Sequence, residues 1–187
     1  MQRENSIPRA HHPGDQPQGF GWRTIAAIVT SLVLVSLTIV LVVEVASLPW
    51  WVSGTFAYPL GNPFCHEQAC GDYTDSASLR NVFPPTYGLV TMAFALSIFE
   101  LVVLVGSITS YWNRVGILVT GIPGSIVLLG APIYFYSRFP MSSYSGYLGS
   151  GWFMAFVAVV FFIAATIAGF FGAGHIKHVG SLRVSPS

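Results

Sequence analysis

Glu100 is the residue of this 187-residue chain whose position most directly suggests chemistry. It is the only charged residue in the apolar stretch from Thr86 to Trp112. An acid within a bilayer is costly, and such residues commonly act as proton relays, ion sites or hydrogen-bonding groups between helices. Hydroxyl groups that could bond to it lie in two other apolar stretches, at Thr30, Ser31, Ser36, Thr38, Thr120 and Ser125. We expect Glu100 to be buried between helices, largely neutral, and structural rather than catalytic.

The two cysteines of the chain lie close together, in the segment Cys65-His66-Glu67-Gln68-Ala69-Cys70. Four intervening residues suit a disulfide across a hairpin or tight turn, which would contribute roughly 2 kcal/mol. A structural zinc site usually has four ligands, and beyond Cys65, His66 and Cys70 only Glu67 or Asp72 lies nearby. A redox enzyme would more naturally carry Cys-x-x-Cys, which is absent. A disulfide is therefore favoured over a metal site, and no cofactor is expected.

Two further pairs of titratable residues lie at the ends of apolar stretches. Glu44 and Arg138 are expected at the outer membrane surface, where they could form a structural ion pair. His175 and His178 are three residues apart and share a helix face, a spacing that can ligate metal or haem. No further ligand accompanies them, so a solvated cationic end beside Lys177 is the favoured interpretation. No nucleophile–base set, phosphate loop or complete metal shell is present, and we expect no enzymatic activity.

The composition indicates that these residues belong to a membrane protein. Hydrophobic residues make up 53% of the chain and charged residues 8%, with mean hydropathy +0.64. A soluble domain has about 25% charged residues, so a free soluble globule is excluded. Disorder of the whole chain is excluded because it requires low hydrophobicity. A net charge of +1 from eight basic residues provides no basic surface for nucleic acid.

Four apolar stretches reach the roughly 20 residues that a transmembrane helix needs. The expected fold class is therefore an all-α membrane protein, a four-helix bundle with helices at about 24–48, 86–112, 115–137 and 149–174. The stretches are continuous, whereas barrel strands would alternate. A cleaved signal peptide ending near Val45-Ala46-Ser47 is the alternative for the first helix, but its apolar core of about 20 residues exceeds the usual 7–15.

Small residues recur every four positions in the last two predicted helices. Such faces let helices approach closely in lipid. They comprise Gly116, Thr120 and Gly124 in the third helix, and Ala164, Ala168 and Gly172 with Ala165, Gly169 and Ala173 beside them in the fourth. Pro123 and Pro132 are expected to bend the third helix, because each removes a backbone hydrogen bond. The bundle should be tight, with little room for a wide central pore.

The distribution of basic residues predicts the orientation, because cytoplasmic segments are enriched in Lys and Arg. Only Arg80 and Arg138 fall on one side, with Glu67, Asp72 and Asp75. Six basic residues fall on the other side: Arg3, Arg9, Arg23, Arg114, Lys177 and Arg183. Both termini should therefore be cytoplasmic, with tails at 1–22 and 177–187, and the long loop 49–85 should be extracytoplasmic. The plasma membrane is the expected location.

The long loop carries the residues that we expect to contact a partner. Tandem tryptophans just outside a helix suit the membrane surface, since an amphipathic ring can keep one edge wet. Thr55-Phe56-Ala57-Tyr58 has β-type composition, and Pro59, Gly61, Asn62 and Pro63 punctuate the chain after it. A small sheet resting on the bundle is expected. Tryptophan and tyrosine are enriched at binding hot spots, and the proposed contact residues are Trp50, Trp51, Phe56, Tyr58, Phe64 and Tyr73.

This combination resembles the tetraspan superfamily of claudins, peripheral myelin proteins and channel-regulatory gamma subunits. In that superfamily the first extracellular loop carries an early tryptophan, then Gly-Leu-Trp-x-x-Cys, then a second cysteine. Here the early tryptophan corresponds to Trp50 or Trp51, and the second cysteine to Cys70. The run from Tyr58 to Cys65 lies where the motif should be, although no tryptophan follows Leu60. Other similar segments are Arg80, Ile133 to Pro140 and Tyr144 to Trp152.

The resemblance implies a non-enzymatic role in barrier formation, adhesion, or as an accessory subunit of a channel or other membrane complex. It also implies a bond between Cys65 and Cys70. The partners would be the lipid bilayer and other membrane proteins, including further copies of the chain. The alternative is a small membrane transporter, respiratory-complex subunit or membrane enzyme that uses Glu100. Transporters usually have more helices and internal repeats than this chain offers.

Overall fold

The chain is described by a computed structural model over residues 22–54, 56–60, 69–70, 76–109 and 114–181. Side chains are described over the same ranges except for 69–70, 107–109, 114 and 174–181. The helices are α1 (Trp22–Ser47), α2 (Ala77–Arg80), α3 (Phe83–Thr109), α4 (Arg114–Arg138) and α5 (Ser150–Ser181). The four long helices each contain a span long and apolar enough to cross a membrane. The predicted four-helix membrane architecture is confirmed.

A small sheet covers one end of the bundle. Its strands are β1 (Pro49–Ser53), β2 (Phe56–Pro59), β3 (Ala69–Cys70) and β4 (Tyr147–Leu148), in the order β3-β2-β1-β4. β1 is antiparallel to β2 and to β4, and β2 is parallel to β3. β4 comes from the loop between α4 and α5, so one sheet joins both loops. We call this end of the bundle the sheet end, and the opposite end the terminal end.

Two helix boundaries differ from the sequence predictions. α3 begins at Phe83 rather than Thr86, with Pro84 and Pro85 in its first turn. Prolines fit there because the first N–H groups of a helix have no intrahelical partner to lose. Thr86 then donates both its N–H and its hydroxyl to the carbonyl oxygen of Val82, at 3.2 and 2.6 Å. The backbone of α5 remains helical to Ser181, beyond the end of the apolar span at Ala173 and into the predicted tail that begins at residue 177.

Glycines bring the helices of the bundle close together. A Cβ at Gly124 of α4 would collide with the ring of Phe162 on α5, and a Cβ at Gly121 would collide with Thr166. A Cβ at Gly169 of α5 would come within 2.7–2.8 Å of Leu104 Cδ2 and Ser31 Oγ. The predicted small-residue faces are thus confirmed at Gly124 and Gly169, and Gly121 adds a contact that the sequence reading did not include.

The buried side chains form two clusters. The larger one lies at the sheet end and is rich in aromatic rings, including Trp50, Phe83 and Phe135. The smaller one is aliphatic and includes Leu104 and Ile117. The outward faces of the helices remain apolar, with exposed residues such as Val33, Val102, Val119 and Val160. An apolar outer surface of this extent suits a lipid solvent and would be unstable in water.

Candidate functional site

Glu100 lies within the bundle, where three helices meet. Its side chain is fully buried on α3, as the sequence predicts. The carboxyl oxygen Oε1 is 2.9 Å from the hydroxyl oxygen of Thr166 on α5. Gly121 of α4 leaves the space that Thr166 occupies. The acid therefore holds α3 to α5 at a point where α4 has no side chain.

The partner of Glu100 is a correction to the sequence prediction, which named hydroxyl groups of the first and third transmembrane helices. Thr166 belongs to the fourth. Five of the hydroxyl groups that were expected to bond to Glu100 donate to backbone carbonyl oxygens instead. These are Ser31 to Ala165 (2.8 Å), Ser36 to Leu32 (2.8 Å), Thr38 to Leu34 (2.8 Å), Thr120 to Gly116 (3.0 Å) and Ser125 to Gly121 (2.8 Å). Only the Ser31 bond crosses between helices, from α1 to α5.

The hydrogen bonding of Glu100 is incomplete among the described residues. Thr166 Oγ1 also lies 2.9 Å from the carbonyl oxygen of Phe162, and a hydroxyl has one proton to give. The Thr166 hydroxyl is the donor to both Glu100 Oε1 and the Phe162 carbonyl oxygen, so the two acceptors share its proton. The other carboxyl oxygen, Oε2, is buried without a partner among the described residues. A neutral acid would leave an unpaired polar group there, whereas a carboxylate would leave an unpaired charge, which costs far more.

Replacing Glu100 tests this arrangement. Glu100→Gln is expected to preserve the fold, because the amide oxygen of glutamine can accept from Thr166 as Glu100 Oε1 does. A double-mutant cycle of Glu100→Leu with Thr166→Val should give a coupling free energy of about 0.6 kcal/mol, the average for hydrogen bonds between membrane helices. Equilibrium unfolding of the purified protein in mixed micelles measures it.

The matched control cycle combines Glu100→Leu with Thr120→Val. Thr120 is equally a buried threonine of the bundle, but it donates to the carbonyl oxygen of Gly116 on its own helix. Its coupling to Glu100 should be close to zero. A coupling to Thr120 that equals or exceeds the coupling to Thr166 would contradict the assigned bond.

Trp50 lies at the centre of the aromatic cluster at the sheet end. Its side chain is fully buried, and its ring makes an edge contact with Phe135 at a centroid distance of 5.2 Å. The indole Nε1 donates to the carbonyl oxygen of Val45 at 2.7 Å. In a continuing helix that carbonyl would accept from the N–H of residue 49, but Pro49 has none. Trp50 therefore completes the end of α1 while it fills the core.

Trp51 is also buried, at 4% exposure, with its ring 4.4 Å from that of Phe139. A glycine-rich segment of the second loop covers the two indoles. A Cβ at Gly151 would come within 2.7–2.8 Å of ring atoms of Trp50, and one at Gly146 within 2.8 Å of Trp51 Nε1. The chain itself buries both rings, which leaves little of their surface for the partner contact that the sequence predicted.

The other proposed contact residues have different surroundings. Phe56 of β2 is 46% exposed, whereas Tyr58 is half-buried with its ring 6.3 Å from that of Phe83. Tyr147 of β4 is 66% exposed, and the sequence analysis did not include it among the contact residues. Several predictions concern residues or side chains outside the described parts: Phe64, Cys65, His66, Glu67, Cys70, Asp72, Tyr73, His175 and His178. The disulfide therefore stays a prediction.

A second group of polar side chains lies between α2 and the end of α4. The Tyr144 hydroxyl is 2.8 Å from Ser76 Oγ and 3.2 Å from Ser78 Oγ. The hydrogen bonds from Ser76 and then Ser78 lower the pKa of Tyr144 below its ordinary value. Arg138 and Glu44 are both exposed, and no ion pair joins them among the described side chains. The predicted Glu44–Arg138 pair is therefore absent from the part of the chain that is described.

The described residues thus offer hydrogen bonds and aromatic contacts as their chemistry. Within them, no three His, Cys, Asp or Glu side chains are grouped to hold a metal ion. No protein-family model matches the chain, and no match to it was found among curated proteins.

Proposed function

We propose that the protein is a non-enzymatic membrane protein that acts by binding other proteins at its sheet end, in the manner that its claudin-like pattern implies. One observation carries this proposal: the sheet is built from both loops and anchored to the bundle by a buried aromatic cluster. Gly149 donates its N–H to the carbonyl oxygen of Trp50 at 2.9 Å, at the junction of the two loops. A surface ordered in advance avoids the cost of ordering side chains on binding, about 0.5–1.5 kcal/mol for each.

The proposed contact surface centres on the exposed aromatic residues Phe56 and Tyr147. They lie in the strands on either side of β1, opposite Ser53 and Val52. Large rings with few rotatable bonds provide contact area at low entropic cost. Trp50 and Trp51 then support this surface from below and do not touch the partner.

The orientation belongs to the same proposal. The excess of basic residues in the segments at the terminal end supports a cytoplasmic position for that end and an outer position for the sheet end. An oxidising exterior would allow the bond between Cys65 and Cys70, which would restrain the loop next to β3. The role is then adhesion, barrier formation, or service as an accessory subunit at the plasma membrane.

Site-specific photo-crosslinking tests where partners bind. A photoreactive phenylalanine analogue at position 147 is expected to yield protein adducts in the native membrane, identified by mass spectrometry. The control position is Val119 on α4, which is 63% exposed on the apolar outer face. We expect at least several-fold fewer protein adducts there, because lipid should surround it. Adducts of the chain with itself would identify the partner as a second copy.

The opposite distribution would overturn the proposal. If protein adducts form at position 119 and not at positions 56 and 147, the partner binds the membrane-embedded face. If neither surface yields adducts in membranes from the native source, action through protein contact at the sheet end is refuted.

A second candidate function is proton or ion movement through Glu100, as a small transporter, respiratory subunit or membrane enzyme. The observation that favours it is the complete burial of an acid whose Oε2 has no partner among the described residues. Reconstituted liposomes separate the two functions. Proton or ion flux that is present in the native protein and lost in Glu100→Gln would replace the first proposal with the second.

A further inference from the structure

A polar groove of about 520 Å³ opens at the sheet end, between α2 and the end of α4. Its described lining residues are Ser78, Asn81, Val82, Tyr134, Arg138 and Pro140. The volume lies in the range of small-molecule sites, about 300–1,000 Å³. None of the proposed functions uses this groove.

Two tyrosines hold the walls of the groove in place. Tyr134 of α4 donates its hydroxyl proton to the carbonyl oxygen of Asn81 at 3.2 Å, which ties α4 to the turn before α3. Tyr144 of the second loop contacts the hydroxyl groups of Ser76 and Ser78. The polar wall formed by Ser78 and Asn81 is therefore fixed from two sides, as a ligand site requires.

Arg138 gives the groove a positive charge. Arg138 forms no ion pair with any described side chain, and none of the described lining residues is acidic. The Ser78 hydroxyl and the Asn81 amide add neutral hydrogen-bond donors. A guanidinium beside neutral donors is the combination that binds phosphate, because the planar fork can donate two parallel bonds to one anion.

The groove also lies at the ends of two apolar spans. Arg138 is the last residue of one membrane span, and another span begins at Ala77, next to Ser78. The ends of such spans coincide with the boundary between hydrocarbon and headgroups. Val82 and Pro140 provide apolar walls on which the glycerol region of a lipid could rest.

We propose that this groove binds the phosphate of an anionic phospholipid headgroup in the leaflet at the sheet end. Arg138 donates to the phosphate oxygens, and Ser78 and Asn81 donate to the remaining oxygens of the headgroup. Because the described lining residues offer no acid for a choline or ammonium group, phosphatidylglycerol is preferred over phosphatidylcholine. The bound lipid would fix α2 against α4 beneath the sheet.

Native mass spectrometry of the purified full-length protein tests this proposal by titration with phosphatidylglycerol, phosphatidylcholine or inorganic phosphate. Arg138→Gln should weaken phosphatidylglycerol binding about tenfold, because a hydrogen bond to a charged group is lost. Arg80→Gln is the matched control, since Arg80 is an exposed arginine of α2 outside the groove lining. It should change binding less than about twofold, as expected for a charge outside the site.

A second variant, Ser78→Asp, places a negative charge in the groove and should weaken binding even if Arg138→Gln folds poorly. Equal losses in Arg80→Gln and Arg138→Gln would show general surface attraction and overturn the site. Unchanged binding in both Arg138→Gln and Ser78→Asp would overturn it as well. If inorganic phosphate binds as tightly as phosphatidylglycerol, the groove takes free phosphate and the lipid assignment is wrong.

Discussion

Trp50→Ala is expected to lower the free energy of unfolding by about 3–5 kcal/mol, the usual cost of truncating a large buried aromatic residue. The ring is fully buried against Phe135, so alanine leaves a cavity at the sheet end. The substitution also removes the donor to Val45, whose carbonyl oxygen has no replacement in Pro49. Equilibrium unfolding in mixed micelles, followed by circular dichroism, gives the difference.

Trp22→Ala is the matched control, because Trp22 is 76% exposed at the start of α1. It should change the free energy of unfolding by less than about 0.5 kcal/mol, as exposed substitutions usually do. Trp50→Phe should fall between the two, since it keeps a ring but leaves the Val45 carbonyl unpaired, at about 1–3 kcal/mol. Similar effects of Trp50→Ala and Trp22→Ala would contradict the central position of the Trp50 ring.

Two glycines of α4 should respond to alanine in opposite ways. Gly124→Ala is expected to destabilise the bundle by about 1–3 kcal/mol, because the new methyl group collides with the buried ring of Phe162. Gly130→Ala adds the same methyl group where, apart from the adjacent residues and backbone of α4 itself, no described atom lies within 4 Å. Alanine is the better helix former by about 1 kcal/mol, so this variant should be neutral or slightly more stable.

The same unfolding assay compares the two variants, and a compensating change identifies the collision. Phe162→Leu shortens the side chain that Gly124→Ala meets, so the double variant should lose less stability than the sum of the single variants. If Gly130→Ala is the more destabilising of the two, or if the double variant is strictly additive, the described packing of α4 on α5 is wrong.

The membrane spans could be predicted from sequence because a helix in lipid needs a continuous apolar run, whatever tertiary contacts it makes. Their boundaries were less certain, since Pro84 and Pro85 look like helix breakers yet fit the first turn of α3. The small sheet was expected from the composition near Phe56. The contribution of β4 was not expected. The strand has only two residues, Tyr147 and Leu148, which are too few to show the alternation of apolar and polar side chains that indicates a strand.

The surroundings of the site residues depended on tertiary contacts that a single sequence does not specify. Tryptophan beside a helix end usually faces the membrane surface, and only the covering segment makes Trp50 and Trp51 internal. The glycines at 146, 149 and 151 were the sequence feature that could have indicated this burial, since three glycines within six residues suggest that the backbone packs closely against large side chains. The burial of Glu100 could be predicted because it lies within an apolar run. Its hydrogen-bond partner, Thr166, could not, because that requires knowing which helices are neighbours.

The strand order has a consequence for how the protein is made. Trp51 of β1 pairs with Leu148 of β4, which is synthesised about 100 residues later. At about 5–20 residues per second, the ribosome takes roughly 5–20 s to supply the missing strand. During that interval one edge of β1 is unpaired and the indole of Trp51 lacks its glycine cover, a state prone to wrong strand pairing. The nascent chain is thus most exposed to aggregation between the insertion of α3 and the arrival of the second loop, and a chaperone that shields an open strand edge would act in that window.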